Sequence, residues 1–152
     1  MKPLFLTSLA PAPKRQVAGR EVGAAYQDAC YRSIVRELGP CLSLNYESEA
    51  DTLKSLFPEA DILPCPANPD PDASPLMRLA GMRDAIADRN FSHIGIVNAD
   101  IFAPAQAARL LAPLMDTPDA TLFVCRHECT HLDGPSGPAY LHGFDLALLP
   151  KD

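Results

Sequence analysis

The stretch Phe91-Ser92-His93-Ile94-Gly95-Ile96-Val97-Asn98-Ala99-Asp100 decides the fold. Its apolar segment is short, is bounded by polar turn-formers and lacks helical spacing. That pattern suits a strand covered on both faces, as strands of parallel sheets are. The strand ends directly in Asn98 and Asp100, two side chains that present oxygen at the carboxyl end of the sheet. Both types cap turns well, and a carboxylate at that place can also hold a hard divalent cation.

Working outward, Pro3-Leu4-Phe5-Leu6-Thr7-Ser8-Leu9 reads as a first buried strand, followed by the rigid basic loop Ala10-Pro11-Ala12-Pro13-Lys14-Arg15. A helix is expected from about Val22 to Leu38, with Tyr26, Cys30, Ile34 and Leu38 on one stripe and Gly39-Pro40 as its stop. Cys41 to Asn45 is a second strand. Ser48, with Asp51 three residues on, opens a helix whose buried face is Leu53, Leu56 and Phe57. Ala60 to Pro64 makes a third strand. A proline-rich loop follows, and Ser74-Pro75 starts a helix running to about Arg89, with Leu79, Met82 and Ile86 inward. After Asp100, Pro104 starts a helix carrying Leu110 and Leu111. A fifth strand is expected from Thr121 to about Cys129, and a last one from Tyr140 to Leu149, interrupted near Gly143. The alternation of strands and helices predicts an α/β fold: three layers, a mostly parallel sheet with helices on both faces.

The 152 residues suit one domain with a sizeable core. A net charge of −6 repels phosphate backbones, so nucleic acid is not the expected partner. The apolar stretch after Lys2 is too short for a secretory signal, and no run approaches the roughly 20 apolar residues of a membrane span. Five scattered cysteines read as reduced thiols, which with the missing signal makes the cytoplasm the expected compartment.

In open parallel sheets ligands bind beyond the carboxyl ends of the strands. Thr7 to Arg15, Asn45-Tyr46 and Asn98 to Asp100 should meet there. Three pieces in order, Phe5-Leu6-Thr7-Ser8-Leu9-Ala10-Pro11 with Arg15-Gln16, Val97-Asn98-Ala99-Asp100-Ile101 preceded by Ser43-Leu44-Asn45 and Phe57-Pro58, and Gly143-Phe144-Asp145-Leu146, span nearly the whole chain. Together they resemble a family of bacterial glycosyltransferase-like proteins with the GT-A, nucleotide-diphospho-sugar transferase fold, a Rossmann-like architecture. The resemblance implies that Thr7, Arg15, Asn45 and Asn98 bind a nucleotide-diphosphate sugar. It implies that Asp100 binds Mg²⁺ or Mn²⁺, and that Asp145 serves as the catalytic base or acceptor contact.

The chain departs from the family in two ways. Asn98 stands where the D-x-D motif has its first aspartate, and GT-A enzymes usually run well past 200 residues. Two functional readings follow: a sugar transferase, or a shortened, non-catalytic GT-A-like module acting in protein assembly. In the second, an exposed sheet edge would recruit another copy or a protein partner. A third, a nucleotide-binding domain of another doubly wound family, lacks the usual glycine-rich phosphate loops.

Cys125-Arg126-His127-Glu128-Cys129-Thr130-His131 has zinc-type residues on alternate positions. Extended-strand spacing of roughly 6.6 Å between them works against convergence on one ion, so a strand with small sulfur-bearing core residues is the expectation. His142 reads as a loop histidine, and Arg78 and Arg83 as solvated. Lys14-Arg15 is the better phosphate candidate.

Overall fold

The computed structural model describes residues 2–17, 19–66, 79–115, 117, 119–127, 137–139 and 144–151. Its centre is β1 (Leu4–Thr7), all four residues buried. β1 pairs in parallel with β4 (Cys41–Tyr46) on one side, Phe5 opposite Cys41, and with β6 (His93–Val97) on the other, Phe5 opposite Gly95. β5 (Ile62–Cys65) adds a parallel edge beyond β4. It carries Pro64, which an edge strand tolerates because one side of its backbone has no ladder to complete. Beyond β6 the direction reverses. β8 (Leu146–Pro150) pairs antiparallel to β6, and β7 (Leu122–Val124) pairs antiparallel to β8, so β7 again runs with β6. The sheet order is β5-β4-β1-β6-β8-β7, a mostly parallel α/β sheet as expected.

The two faces follow from strand alternation. Phe5, Cys41, Val97 and Leu148 face α1 (Gly23–Glu37), which contributes Tyr31 and Ile34. Leu53 and Phe57, from α2 (Ala50–Leu56) and its end, complete this side with Ala103, Ala107 and Leu111. Leu4, Leu6, Leu42, Leu44 and Ile94 face the other way, onto Ile86 at the end of α3 (Leu79–Ala85) and Phe91. Helices thus cover both faces. Gly95 explains itself here: a Cβ would stand 2.4 Å from a ring carbon of Phe5, so the fully buried Phe5 occupies the space a side chain would need.

Several local expectations are corrected. Leu56 is 39% exposed, because Leu53 and Phe57 already fill the helix's inward face. The segment after β4 opens as a 3-10 turn, Glu47–Glu49, before α2; the carboxylate that reaches back is Glu49, which accepts from the Tyr46 N–H at 3.3 Å, rather than Asp51. After Pro104 there is a 3-10 turn, Ala107–Leu110, and then the short α4 (Ala112–Met115); Pro113, which has no N–H to donate back, keeps the two from forming one continuous helix. β7 stops at Val124 and β8 starts at Leu146. A hairpin of β2 (Gln16–Val17) and β3 (Arg20–Glu21) was not expected from the sequence. The Ser74-Pro75 start, Cys129, His131, His142 and Gly143 lie outside the described residues.

Candidate functional site

Strands β1, β4, β5, β6 and β7 all finish at one edge of the sheet, and β8 begins there. The chain leaves β1 toward β4 and β5, and later returns on β1's other side as β6. The loops after β1 and β6 therefore diverge, which makes a crevice at the topological switch point.

On the α1 face of this edge, Thr7 is followed across the sheet by Ser43 and Asn45. Thr7 is 6% exposed, and its hydroxyl has no hydrogen-bond partner among the described residues. Asn45, at 2% exposure, is occupied internally. Its Nδ2 donates to the Leu9 carbonyl at 2.8 Å and to Glu49 Oε2 at 3.1 Å; its Oδ1 accepts from the Ser43 hydroxyl at 2.6 Å. The Leu9 N–H donates in turn to Ser43 Oγ at 2.9 Å. Asn45 and Ser43 thus clamp the loop after β1 onto the end of β4.

The rest of that loop is fastened to α1. Ala10 N–H donates to Gln27 Oε1 at 3.0 Å. Gly23 lets Pro13 lie against the start of α1, for a Cβ there would be 2.1 Å from the Pro13 carbonyl oxygen. Glu21 Oε1 accepts from the N–H groups of Arg15 and Gly23, both at 2.8 Å. These backbone donors hold the Glu21 carboxyl below the usual carboxylate range. The β2–β3 hairpin is what returns Glu21 to Arg15. Arg15 then lies 3.8 Å over the ring of Tyr26, a cation–π contact, and the Tyr26 hydroxyl donates to the Asp100 carbonyl at 3.2 Å. A single aromatic residue thus connects the cation after β1 to the carboxylate loop after β6.

The other side of the crevice centres on Asp145, just before β8. Asp145 is buried. Its Oδ1 accepts from Asn98 Nδ2 at 3.2 Å and is ion-paired to the Arg126 guanidinium; its Oδ2 accepts from the Arg126 backbone N–H at 3.4 Å. Its own N–H and carbonyl bond to Val124 and Asn98, so it ties the ends of β7 and β6 together. Asp145 was expected to be the catalytic base or an acceptor contact; among the described residues both its oxygens are engaged and its side chain is 5% exposed.

All six residues singled out from the sequence stand at this one edge. Thr7 is buried with a hydroxyl unpartnered among the described residues and Arg15 and Asp100 are exposed, whereas the side chains of Asn45 and Asp145 are bonded to their neighbours. Asn98 and Asp100 are exposed on the loop after β6. No group of three His, Cys, Asp or Glu suited to a metal occurs among the described residues. Asp100 is an exposed carboxylate, and a single carboxylate can share a Mg²⁺ or Mn²⁺ ion with ligand phosphates. Arg126 was missed: nothing in its local sequence marks it, and only the β8 return brings it beside Asp145. His127 Nδ1 lies 3.0 Å from the Gly137 carbonyl.

The architecture is a mostly parallel α/β sheet with helices on both faces. One solved structure to which the chain is similar is 4-diphosphocytidyl-2C-methyl-D-erythritol synthase from Anaerococcus prevotii, with a TM-score of 0.54. The match covers 98% of this chain and 70% of that one at 8% identity, a likeness of fold. No family model matches the chain, and no curated protein matches it by sequence. No described helix is long and apolar enough to cross a membrane.

Proposed function

We propose that this chain binds a nucleotide-diphosphate sugar in the crevice between the β1 and β6 loops, with a divalent cation on Asp100, and acts as a sugar transferase. The observation that carries the reading is the Arg15–Tyr26–Asp100 connection, which holds the Arg15 guanidinium on the same aromatic residue that bonds the backbone of the loop bearing Asp100. Thr7 supports it, because a buried hydroxyl without a partner is unfavourable by about 1–3 kcal/mol unless a ligand or water satisfies it.

In this reading Arg15 binds the diphosphate and is kept from swinging into solvent by its stack on Tyr26. Thr7 donates to the nucleotide. Asn45 positions the β1 loop without touching the ligand. Asp100 would hold Mg²⁺ or Mn²⁺, which when bound neutralises charge on the departing diphosphate. Asp145 acts as a positioning residue for Asn98 and Arg126. The name of the structural neighbour, a diphosphocytidyl compound's synthase, adds cytidine nucleotides to those worth testing.

The test is calorimetric titration of UDP, GDP and CDP into the wild type and Asp100→Ala, with and without Mn²⁺. Metal-dependent binding that Asp100→Ala reduces at least tenfold supports the reading. Absence of binding by all three nucleotides overturns it.

A second reading, a non-catalytic assembly module, is favoured by one observation. Phe123 and Phe144 are 50% and 63% exposed and stack with centroids 4.8 Å apart on the β7 edge of the sheet. A second copy or protein partner covering them would make the chain associate. A monodisperse monomer by light scattering, unchanged by Phe123→Ser, removes the self-association form of this reading.

A further inference from the structure

Arg126 lies on the part of the carboxyl edge that the nucleotide reading leaves unused. β7 runs with β6, so the segment following Val124 emerges beside Asn98 and Asp145 rather than at the opposite edge. Two strand spacings, roughly 10 Å, separate β7 from β6. That distance puts Arg126 beyond the diphosphate position flanked by Arg15 and Asp100, on the side where the rest of a bound ligand would extend.

The surroundings of Arg126 are those of a held cation rather than a solvated one. Asp145, almost fully buried, pairs with the guanidinium and also accepts from the Arg126 backbone N–H. A carboxylate that grips both ends of one residue fixes where its side chain points. The same carboxylate accepts from Asn98 Nδ2, so Asn98 and Arg126 are oriented by one anchor. Arg126 keeps 31% of its side chain exposed, and a guanidinium carries five N–H donors in a planar fork suited to a phosphate. Asp145 bears one negative charge against that one positive charge. The Asp145 contacts hold the guanidinium in place before an anion arrives.

We infer that Arg126, positioned by Asp145, is an anion-binding residue that receives a phosphate group of the ligand on the β8–β7 side of the crevice. The phosphate belongs either to the distal part of the nucleotide donor or to a phosphorylated acceptor. The inference rests on the nucleotide reading for its second half only, since an anion site can be probed without a nucleotide.

The experiment titrates inorganic phosphate, inorganic pyrophosphate, UDP and uridine, with Mn²⁺, into wild type, Arg126→Gln, Arg126→Lys and the doubly neutral Arg126→Gln/Asp145→Asn. The double variant keeps a hydrogen-bonded pair without buried charge, and guards against a fold lost because Asp145 is left unpaired. Circular dichroism confirms which variants fold. The expected result is a tenfold or greater loss of phosphate or pyrophosphate affinity in Arg126→Gln and in the double variant. Arg126→Lys should recover only part of it, because an ammonium lacks the planar fork. Uridine binding should not change. Competition then distinguishes the sources. If phosphate is displaced by UDP, the group belongs to the donor; if the two bind together, it belongs to a separate phosphorylated acceptor. Arg126-dependent phosphate binding without nucleotide binding keeps this inference and sinks the nucleotide reading. UDP, phosphate and pyrophosphate affinities that are all equal in wild type and folded Arg126 variants overturn the inference while the nucleotide reading stands. No binding of any anion overturns both.

Discussion

Replacing Asn45 by alanine tests whether the loop after β1 is held by the sheet beneath it. The amide makes two short bonds to neutral partners, Leu9 O and Ser43 Oγ, a long one to Ser8 Oγ at 3.4 Å that adds little, and one to the Glu49 carboxylate, in a residue 2% exposed. Each short neutral bond contributes about 1 kcal/mol net and the charged one about 1.5 kcal/mol, discounted for partial exposure, so the loss is about 3 kcal/mol. With a urea slope of about 2 kcal/mol/M for a chain of this size, the midpoint falls by about 1.5 M. The total stability of such a domain, about 5–15 kcal/mol, leaves the variant folded. The assay is urea unfolding followed by circular dichroism, with the slope checked for constancy. Asn45→Asp sharpens it. This variant keeps the acceptor for Ser43, loses the Nδ2 donations and sets a carboxylate against Glu49 at 3.1 Å, so at neutral pH it must be less stable than Asn45→Ala. The gap must narrow as pH falls. A loss below about 1 kcal/mol for alanine, or an aspartate variant as stable as wild type, refutes the clamp.

Three further outcomes follow. Gly23→Ala should destabilise by about 1–3 kcal/mol and weaken nucleotide binding, because overlap with Pro13 outweighs the gain of up to about 1 kcal/mol in helix propensity; a neutral or stabilised variant refutes this. Glu21 has its carboxyl held below the usual range by the N–H groups of Arg15 and Gly23, so its anchoring is complete above the ordinary carboxylate value and is lost only as pH falls through its lower folded one. Amide exchange at Arg15 and Gly23 should show that protection, and loss of protection already at the ordinary value counts against it. Asn98→Asp should lower stability at neutral pH by about 1 kcal/mol, with recovery in acid, since the new carboxylate faces Asp145 at a position now bridged by a donor; thermal melts at two pH values measure it.

The parallel half of the sheet was legible because its strands are short apolar runs between turn-formers, and such runs have few other ways to bury their backbone. The α1 stripe Tyr26, Cys30, Ile34 and Leu38 was legible from its spacing of four; Cys30 and Ile34 are fully buried, and Tyr26 and Leu38 are half-buried. The β2–β3 hairpin was not, since two residues per strand carry no period. Leu56 misled because helical spacing admits it to the buried face, while the neighbouring Leu53 and Phe57 exhaust the room there. At the site, strand ends were readable from sequence, but the use of each side chain was not. Asn45 looks like a ligand contact until Ser43, Leu9 and Glu49 are seen around it. Arg126 looks like any strand-end arginine until the reversal at β8 sets Asp145 beside it.

That reversal also accounts for the asparagine, rather than an aspartate, at position 98. A first aspartate at position 98 would face Asp145 across the β6–β8 junction, where the structure has Asn98 Nδ2 donating to Asp145 Oδ1. An amide there converts a repulsion into a bond. It leaves Asp100, two residues further along the loop and exposed, as the carboxylate offered to solvent. The backbone reinforces the arrangement, since the Asn98 N–H donates to the Asp145 carbonyl at 3.2 Å. Asn98 and Asp145 are therefore one structural choice rather than two independent site residues. A carboxylate spent on binding β6 to β7 and on aiming Arg126 requires a neutral donor opposite it, and asparagine is the side chain of that size which supplies one.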